Sequence, residues 1–590
     1  MNAKDDKDRK HSEANAADAA PTGMRQGLTS YGDTGFSLFL RKAFIKGAGF
    51  SDTALDRPVI GITSTGSAYN PCHGNAPQLI DAVKRGVMLG GGLPMEFPTI
   101  SLHESFAAPT SMVLRNLMAM DTEEMIGAQP MDAVVLIGGC DKTVPAQLMA
   151  AASAGKPAIQ LVTGSMLTGS HAGERVGACT DCRRWWARFR AGEADAATIA
   201  AVNEQLVPSV GTCSVMGTAS TMACIAEALG VAMPGSASPP AVTAERMRVA
   251  EATGAQAVQL ARSRLVPARI LTERAFENAM RVLLAIGGST NAVVHLAAIA
   301  GRCGFELDLD ALDRMGRETP VLLDLKPSGA HYMEDFHAAG GMATLLRELK
   351  PLLHLDALTV TGRTLGENIE AAGPGFAQDV VRPLSRPIYP QGGIAVLRGN
   401  LAPGGALLKV SAASPALMEH EGRAVVFEDA ADLAARIDDP ALDVRADDVL
   451  VLKRIGPKGA PGMPEAGALP IPQMLARAGV KDIVRISDGR MSGTAFGTVV
   501  LHVTPEAAVG GPLAFVQSGD RIRLSVSRRE LTLLVPDEVR AARAAASPVA
   551  EPTAERGYRR LFLESVLQAD RGVDFDFLVP PGEKRRLPRR

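Results

Sequence analysis

Cys140 closes the run Asp132-Ala-Val-Val-Leu-Ile-Gly-Gly-Cys140 and is followed directly by Asp141 and Lys142. A thiolate is a soft ligand suited to iron–sulfur chemistry, whereas a carboxylate is a hard ligand suited to magnesium. Soft and hard donors on consecutive residues point to two different metals side by side. Two more cysteines stand in loops marked by Gly or Pro: Cys72 in Asn70-Pro-Cys-His-Gly-Asn75, and Cys213 in Gly211-Thr-Cys-Ser-Val-Met-Gly217. Loops at strand ends can bring three such thiols to one cluster. Each can equally be a small buried hydrophobe, and their wide spacing leaves both readings open. The hard-ligand candidates are Glu104 in Ser101-Leu-His-Glu-Ser105, Asp141, and Glu465 in Pro461-Gly-Met-Pro-Glu465. The segment Ile486-Ser-Asp-Gly-Arg-Met-Ser492-Gly-Thr494 places hydroxyls in a glycine-rich turn. It reads either as a plain β-turn or as a catalytic loop in which a serine near a metal acts as an alkoxide.

Four cysteines remain. Cys179-Thr-Asp-Cys182 has the spacing of half a zinc site or a redox motif, but no second pair accompanies it. It is read as a structural pair beside Arg183-Arg-Trp-Trp186. Cys224 and Cys303 fall in apolar helical or post-helical patterns and are expected in the core.

The elements that must carry these residues alternate in type. Strands are expected at Pro58–Ser64, Asp132–Ile137 and Pro157–Val162, with Leu93–Ser101 extended. Helices are expected at Ala76–Leu89, Ser111–Gly127, Val144–Ala154, Met216–Leu229, Glu273–Ala285 and Asn291–Ala300. Such alternation implies parallel strands and an α/β layer architecture, with ligands at the carboxyl ends of the strands. After about Gly393 the pattern changes to short β-rich runs, Ile394–Leu397, Ala424–Phe427, Val449–Leu452, Ile483–Ile486 and Ile522–Val526. These favour a barrel or sandwich. The organisation expected is a disordered tail over residues 1–22, an α/β domain over 23–380 and a barrel-like domain with terminal helices over 381–590.

Composition excludes several classes. A net charge of -2 gives no electrostatic case for nucleic acid or an anionic membrane, and no apolar run is long enough to span a bilayer. The mixed-charge start lacks the apolar core of a signal peptide, and seven cysteines are too sparse for a disulfide scaffold. A cytoplasmic location is expected.

Taken together, Asn70-Pro-Cys72, Gly92-Leu-Pro-Met-Glu-Phe-Pro-Thr-Ile100, Gly138-Gly-Cys-Asp-Lys142, Gly211-Thr-Cys213, Met216-Gly-Thr-Ala219 and Ser487-Asp-Gly-Arg-Met-Ser-Gly-Thr494 resemble the dihydroxy-acid and sugar-acid (aldonate) dehydratase family. The resemblance implies an α/β domain carrying the cofactors and a C-terminal β-barrel closing over them. It implies an iron–sulfur cluster on Cys72, Cys140 and Cys213, of the 2Fe-2S type with 4Fe-4S as the alternative. It also implies Mg2+ bound by Glu104, Asp141, Glu465 and a carbamate on Lys142. Ser492 would be the catalytic base, and Thr494 a hydroxyl assisting proton return. The reaction implied is dehydration of a 2,3-dihydroxy acid to a 2-keto-3-deoxy acid by a homodimer or homotetramer. The Glu after Ser101-Leu-His and the run Gly173-Glu-Arg-Val-Gly-Ala-Cys-Thr-Asp-Cys-Arg-Arg184 resemble the aldonate branch, which carries Gly where His103 stands. The alternatives are the branched-chain dihydroxy-acid enzyme and, from another class, an iron–sulfur redox sensor.

Overall fold

A strand that is apolar along its whole length must be covered on both faces. Ala133–Gly138 (β3) is of this kind, and Val59–Ser64 (β1), Leu93–Pro98 (β2) and Ala158–Val162 (β4) complete its sheet. In the computed structural model, which describes residues 22–28, 30–546 and 549–587, the four strands are parallel in the order β2-β1-β3-β4. The tail expectation for residues 1–22 falls outside the described residues except at Thr22. Seven helices position the site: Ala76–Leu89 (α1), Arg115–Ala128 (α2), Thr143–Ala154 (α3), Thr180–Ala191 (α4), Thr218–Ala228 (α5), Ala244–Ser263 (α6) and Asn291–Arg302 (α7). The stretch expected as one helix from Ser111 begins with a separate tight turn, Ser111–Leu114, before α2. Every residue of α5 and α7 is buried, as expected of helices enclosed by their neighbours.

Close approach of α1 and α6 depends on two glycines. A Cβ on Gly86 would overlap the carbonyl oxygen of Glu251, and one on Gly254 that of Val83. The backbones therefore meet at a distance no other residue permits.

The later half closes into a barrel of eight strands, as the sequence pattern suggested. They are Ala395–Gly399 (β5), Ala402–Leu408 (β6), Glu419–Phe427 (β7), Val449–Leu452 (β8), Val484–Ser487 (β9), Val499–Thr504 (β10), Arg521–Ser525 (β11) and Glu530–Leu533 (β12). Their order around the barrel is β7-β8-β9-β10-β6-β5-β12-β11, with β7 to β10 parallel and β7 pairing antiparallel to β11. Period-two alternation sorts the side chains. Val426, Val449, Val451, Val484 and Ile486 join residues from the other five strands in one interior core. Val425, Phe427, Leu450 and Leu452 belong to a second core on the outer face. The chain just past residue 380 pairs back onto the α/β half, where Val381 bridges to Leu323 and Tyr389 to Val321. No helix among the described residues is long and apolar enough to cross a membrane.

The helix contact gives a direct expectation. Gly86→Val should force α1 from α6 and lower stability by about 1–3 kcal/mol, read as a reduced thermal midpoint, whereas Gly127→Ala, which meets nothing within 4 Å, should not.

Candidate active site

The site is built outward from the end of β3. Gly138 and Gly139 carry the chain past Gln147 and Thr163 so closely that a Cβ at either would overlap those side chains. Cys140 follows, and its turn is held by a group the sequence reading passed over. His73 Nε2 accepts the backbone N–H groups of Gly139 and Cys140, both at 2.9 Å, while Nδ1 lies 3.0 Å from the carbonyl oxygen of Thr65. Two donors aimed at Nε2 require it to be bare, so the proton sits on Nδ1 and is donated to Thr65. Burial pushes the His73 imidazole down to about 4, which keeps the ring neutral. Its neighbour Cys72 lies in the short turn Pro71–His73 leading into α1. The only sequence signal for His73 was its place beside that cysteine.

Cys72 and Cys140 are in thiol contact, and a ring nitrogen of His103 lies with both sulfurs inside a mutual 4.8 Å. His103 Nδ1 accepts the Ser105 N–H at 3.2 Å, and the ring leans on Phe106 with centroids 5.6 Å apart. Cys213 comes from the loop before α5, and its Sγ is 3.5 Å from that of Cys179, the residue that opens α4. The Cys179–Cys182 pair, expected to be merely structural, therefore reaches the same neighbourhood through its first member. Cys224 is in the core as expected, and Cys303 packs against it half-buried.

The carboxylates converge on the next residue but one. Lys142 Nζ lies 3.5 Å from Glu104, 3.6 Å from Asp141 and 3.9 Å from Glu465, and its side chain is 1% exposed. It has no hydrogen-bond partner. Burial alone would push the Glu104 carboxyl up, but Lys142, Arg490 and the hydroxyls of Ser111 and Thr110 outweigh it and hold the group at about 2. For Glu465 burial prevails over Lys142 and Arg490, and its carboxyl is raised. Burial works against the Lys142 ammonium too, but Glu104 and Asp141 keep it above its ordinary value. Arg490, fully buried, donates to Met463 O at 2.8 Å, to Glu465 at 3.3 Å and to Thr110 Oγ1 at 3.2 Å. Three half-buried carboxylates thus gather around two buried cations.

The hydroxyl loop after β9 completes the arrangement. Ser492 Oγ is 2.8 Å from Thr494 Oγ1, and the Thr494 N–H points at Ser492 Oγ at 3.4 Å. Residues of the α/β half grip this loop. Asn291 Nδ2 donates to Met491 O at 3.1 Å and reaches Glu465 at 3.5 Å, and Thr180 Oγ1 donates to Thr494 O at 3.0 Å. Gly493 passes Ser289 and the backbone of Thr218 with no room for a side chain. From the barrel side, buried Lys409 donates to Gly493 O at 3.2 Å. A cleft of about 820 Å³ beside Arg269 and Cys303 shares none of these site residues.

Comparison with known proteins bears on this constellation. A family model described as dihydroxy-acid/6-phosphogluconate dehydratase N-terminal matches residues 57–368, and its C-terminal counterpart matches residues 379–573. The chain belongs to this dehydratase family. An L-arabonate dehydratase of Azospirillum brasilense is 49% identical over 92% of this chain and 94% of its own length. A 6-deoxy-6-sulfo-D-gluconate dehydratase of Pseudomonas putida is 45% identical over 89% and 91%. A dihydroxy-acid dehydratase of Caldicellulosiruptor bescii is 39% identical over 91% and 98%. The first match extends across both the sheet and the barrel, so it covers the thiol loops, the carboxylates and the hydroxyl loop of the site alike.

Two outcomes follow from the supporting residues. His73→Phe should leave the Gly139 and Cys140 N–H groups buried without an acceptor, at about 1–3 kcal/mol each, read as a lowered denaturation midpoint. Burial pushes the Lys409 ammonium down to about 7. Between there and its ordinary value of 10.5 the unfolded chain binds a proton that the folded chain lacks, so stability rises with pH. Lys409→Met should remove that slope. In urea titrations the wild type should therefore gain on the variant between pH 7.5 and pH 9.5.

Proposed function

We propose that this dehydratase removes water from a sugar acid, a pentonate or hexonate, to give the 2-keto-3-deoxy acid, with Mg2+ and a 2Fe-2S cluster as cofactors. The observation that carries the reading is the meeting, at consecutive residues Cys140, Asp141 and Lys142, of a thiol cluster and a carboxylate cluster. The donors fit both groups. Thiols of Cys72, Cys140 and Cys213 share one neighbourhood, and iron–sulfur clusters take such ligands. Glu104, Asp141 and Glu465 surround a nitrogen that none of them approaches to hydrogen-bond distance. Such an oxygen-rich ring suits a hard divalent cation. Lys142 is held protonated by these carboxylates. With another cation neutralising them, the ammonium could lose its proton to solvent, and the free amine, taking up carbon dioxide with release of a second proton, would add anionic oxygen to the ring.

When bound, the two groups would supply Lewis-acid polarisation of the substrate's carboxylate and of its departing hydroxyl. The chain's own residues do the rest. Ser492 takes the C2 proton. Its alkoxide would be stabilised by the Thr494 backbone N–H, which points at its oxygen, and by the Thr494 hydroxyl 2.8 Å away turning to donate to it. Thr494 stands where it can return a proton as the enol becomes the keto acid. Asn291, Thr180 and Lys409 fix the loop so that these hydroxyls need no reorganisation. Water leaves as the C2 proton and the 3-hydroxyl, with no net oxidation.

The sugar-acid reading is supported by the higher identity to the arabonate and sulfogluconate enzymes than to the dihydroxy-acid dehydratase. A homo-oligomer belongs to the same reading, supported by the exposed rings of Phe39 and Phe44 on the helix Thr34–Gly47.

Anaerobically purified protein should contain iron, acid-labile sulfide and magnesium, and should turn over L-arabinonate, D-xylonate or D-gluconate in preference to 2,3-dihydroxyisovalerate. Turnover of the branched acid alone would overturn the substrate assignment. Ser492→Ala should cut kcat at least about a hundredfold while iron content and fold stay unchanged. Lys142→Ala should lose bound magnesium and turnover together but keep its iron.

A further inference from the structure

His103 sits where the thiols and the carboxylates meet. It opens the short turn Glu104–Phe106, directly before the first carboxylate of the ring. One of its ring nitrogens lies with the sulfurs of Cys72 and Cys140 inside a mutual 4.8 Å. The charges of Asp141, Glu104 and Lys142 all reach the imidazole from the other side. Aromatic rings fix its outer face. Phe106 leans on His103 with centroids 5.6 Å apart, and Tyr69 meets Phe106 edge-on at 6.2 Å.

Two sulfurs and a ring nitrogen have the make-up of a metal site, but the ring's own hydrogen bond decides its role. Nδ1 accepts the Ser105 N–H at 3.2 Å, which requires that nitrogen to be bare. The ring is then neutral with its proton on Nε2, and a nitrogen that carries a proton has no lone pair for a metal. What His103 offers is one N–H donor. Among the described residues no acceptor meets it. Hydrogen bonds to sulfur are one of the factors that set the potential of an iron–sulfur cluster. Such a donor draws electron density from the sulfur, so the iron becomes easier to reduce and a stronger Lewis acid.

We propose that His103 donates its Nε2–H to sulfur on the Cys72–Cys140 side of the bound cluster and so makes the iron more electron-poor without ligating it. The proposal rests on the iron–sulfur reading above and deepens it. His103 acts through the cluster and not on the reacting atoms, which makes it a positioning residue. The Ser105 N–H selects the tautomer, and Phe106 holds the ring in place. A residue on the same turn as Glu104 thereby tunes one Lewis acid while its neighbour binds the other.

Redox titrations of the anaerobically purified holoenzyme, followed by the electron paramagnetic resonance signal of the reduced cluster, test this without relying on turnover. His103→Phe and His103→Gly remove the donor, whereas His103→Gln returns an N–H. The first two should be reduced at a lower potential than wild type, with visible charge-transfer bands moved to longer wavelength. His103→Gln should restore both. In the donor-less variants kcat should fall about tenfold with KM little changed. A midpoint equal to that of wild type, in whichever donor-less variant keeps its iron, would overturn the proposal. So would a strong, ligand-type nitrogen coupling in reduced wild type labelled with 15N-histidine, a measurement that needs no variant. Either result leaves the iron–sulfur reading standing. Protein that holds no iron or acid-labile sulfide would overturn both.

Discussion

Like charges taken out of water repel with little screening, and the centre of this molecule gathers three carboxylates in one place. They persist there because Lys142 and Arg490 are buried among them. The surrounding structure follows from that constraint. Arg490 must reach Glu465 and Thr110 at once, so the hydroxyl loop and the turn before α2 have to touch. Glu104 needs hydroxyl donors as well as cations, and Thr110 and Ser111 are placed to give them. A buried charge left without its partner costs several kcal/mol, so Lys142 and Arg490 each need the carboxylates they face.

The fold was largely legible. Apolar runs such as Ala133–Gly138 and Val449–Leu452 announce buried strands, and their boundaries in the structure differ from the sequence reading by a residue or none. Three barrel strands were not anticipated, Glu530–Leu533 and two that run against local turn signals. Ala402–Leu408 contains Pro403, Gly404 and Gly405, which read as a turn, and a register shift in its pairing accommodates them. Val499–Thr504 follows a glycine-rich loop and carries His502 in the left-handed region within a second register shift. In both, cross-strand partners overrode local propensity.

The thiols and carboxylates could be picked out by type, because few side chains bind metals. The groups that aim them could not. His73 acts through a tautomer, Asn291 through one amide and Lys409 through a single carbonyl, and each has the appearance of an ordinary core residue until its partners are known. Cys179 shows another limit: its spacing to Cys182 marks one thiol neighbour, but the sulfur 3.5 Å away belongs to Cys213, 34 positions along the chain.

The acidic ring also has a split origin. Glu104 and Asp141 come from the α/β half, but Glu465 and Arg490 come from segments between the barrel strands. Neither half owns a complete ring, so the ring is a property of their docking. Whatever neutralises it acts as a clasp between the two halves and adds its binding free energy to their union. Occupancy of the centre and the docking of the two halves are therefore thermodynamically linked.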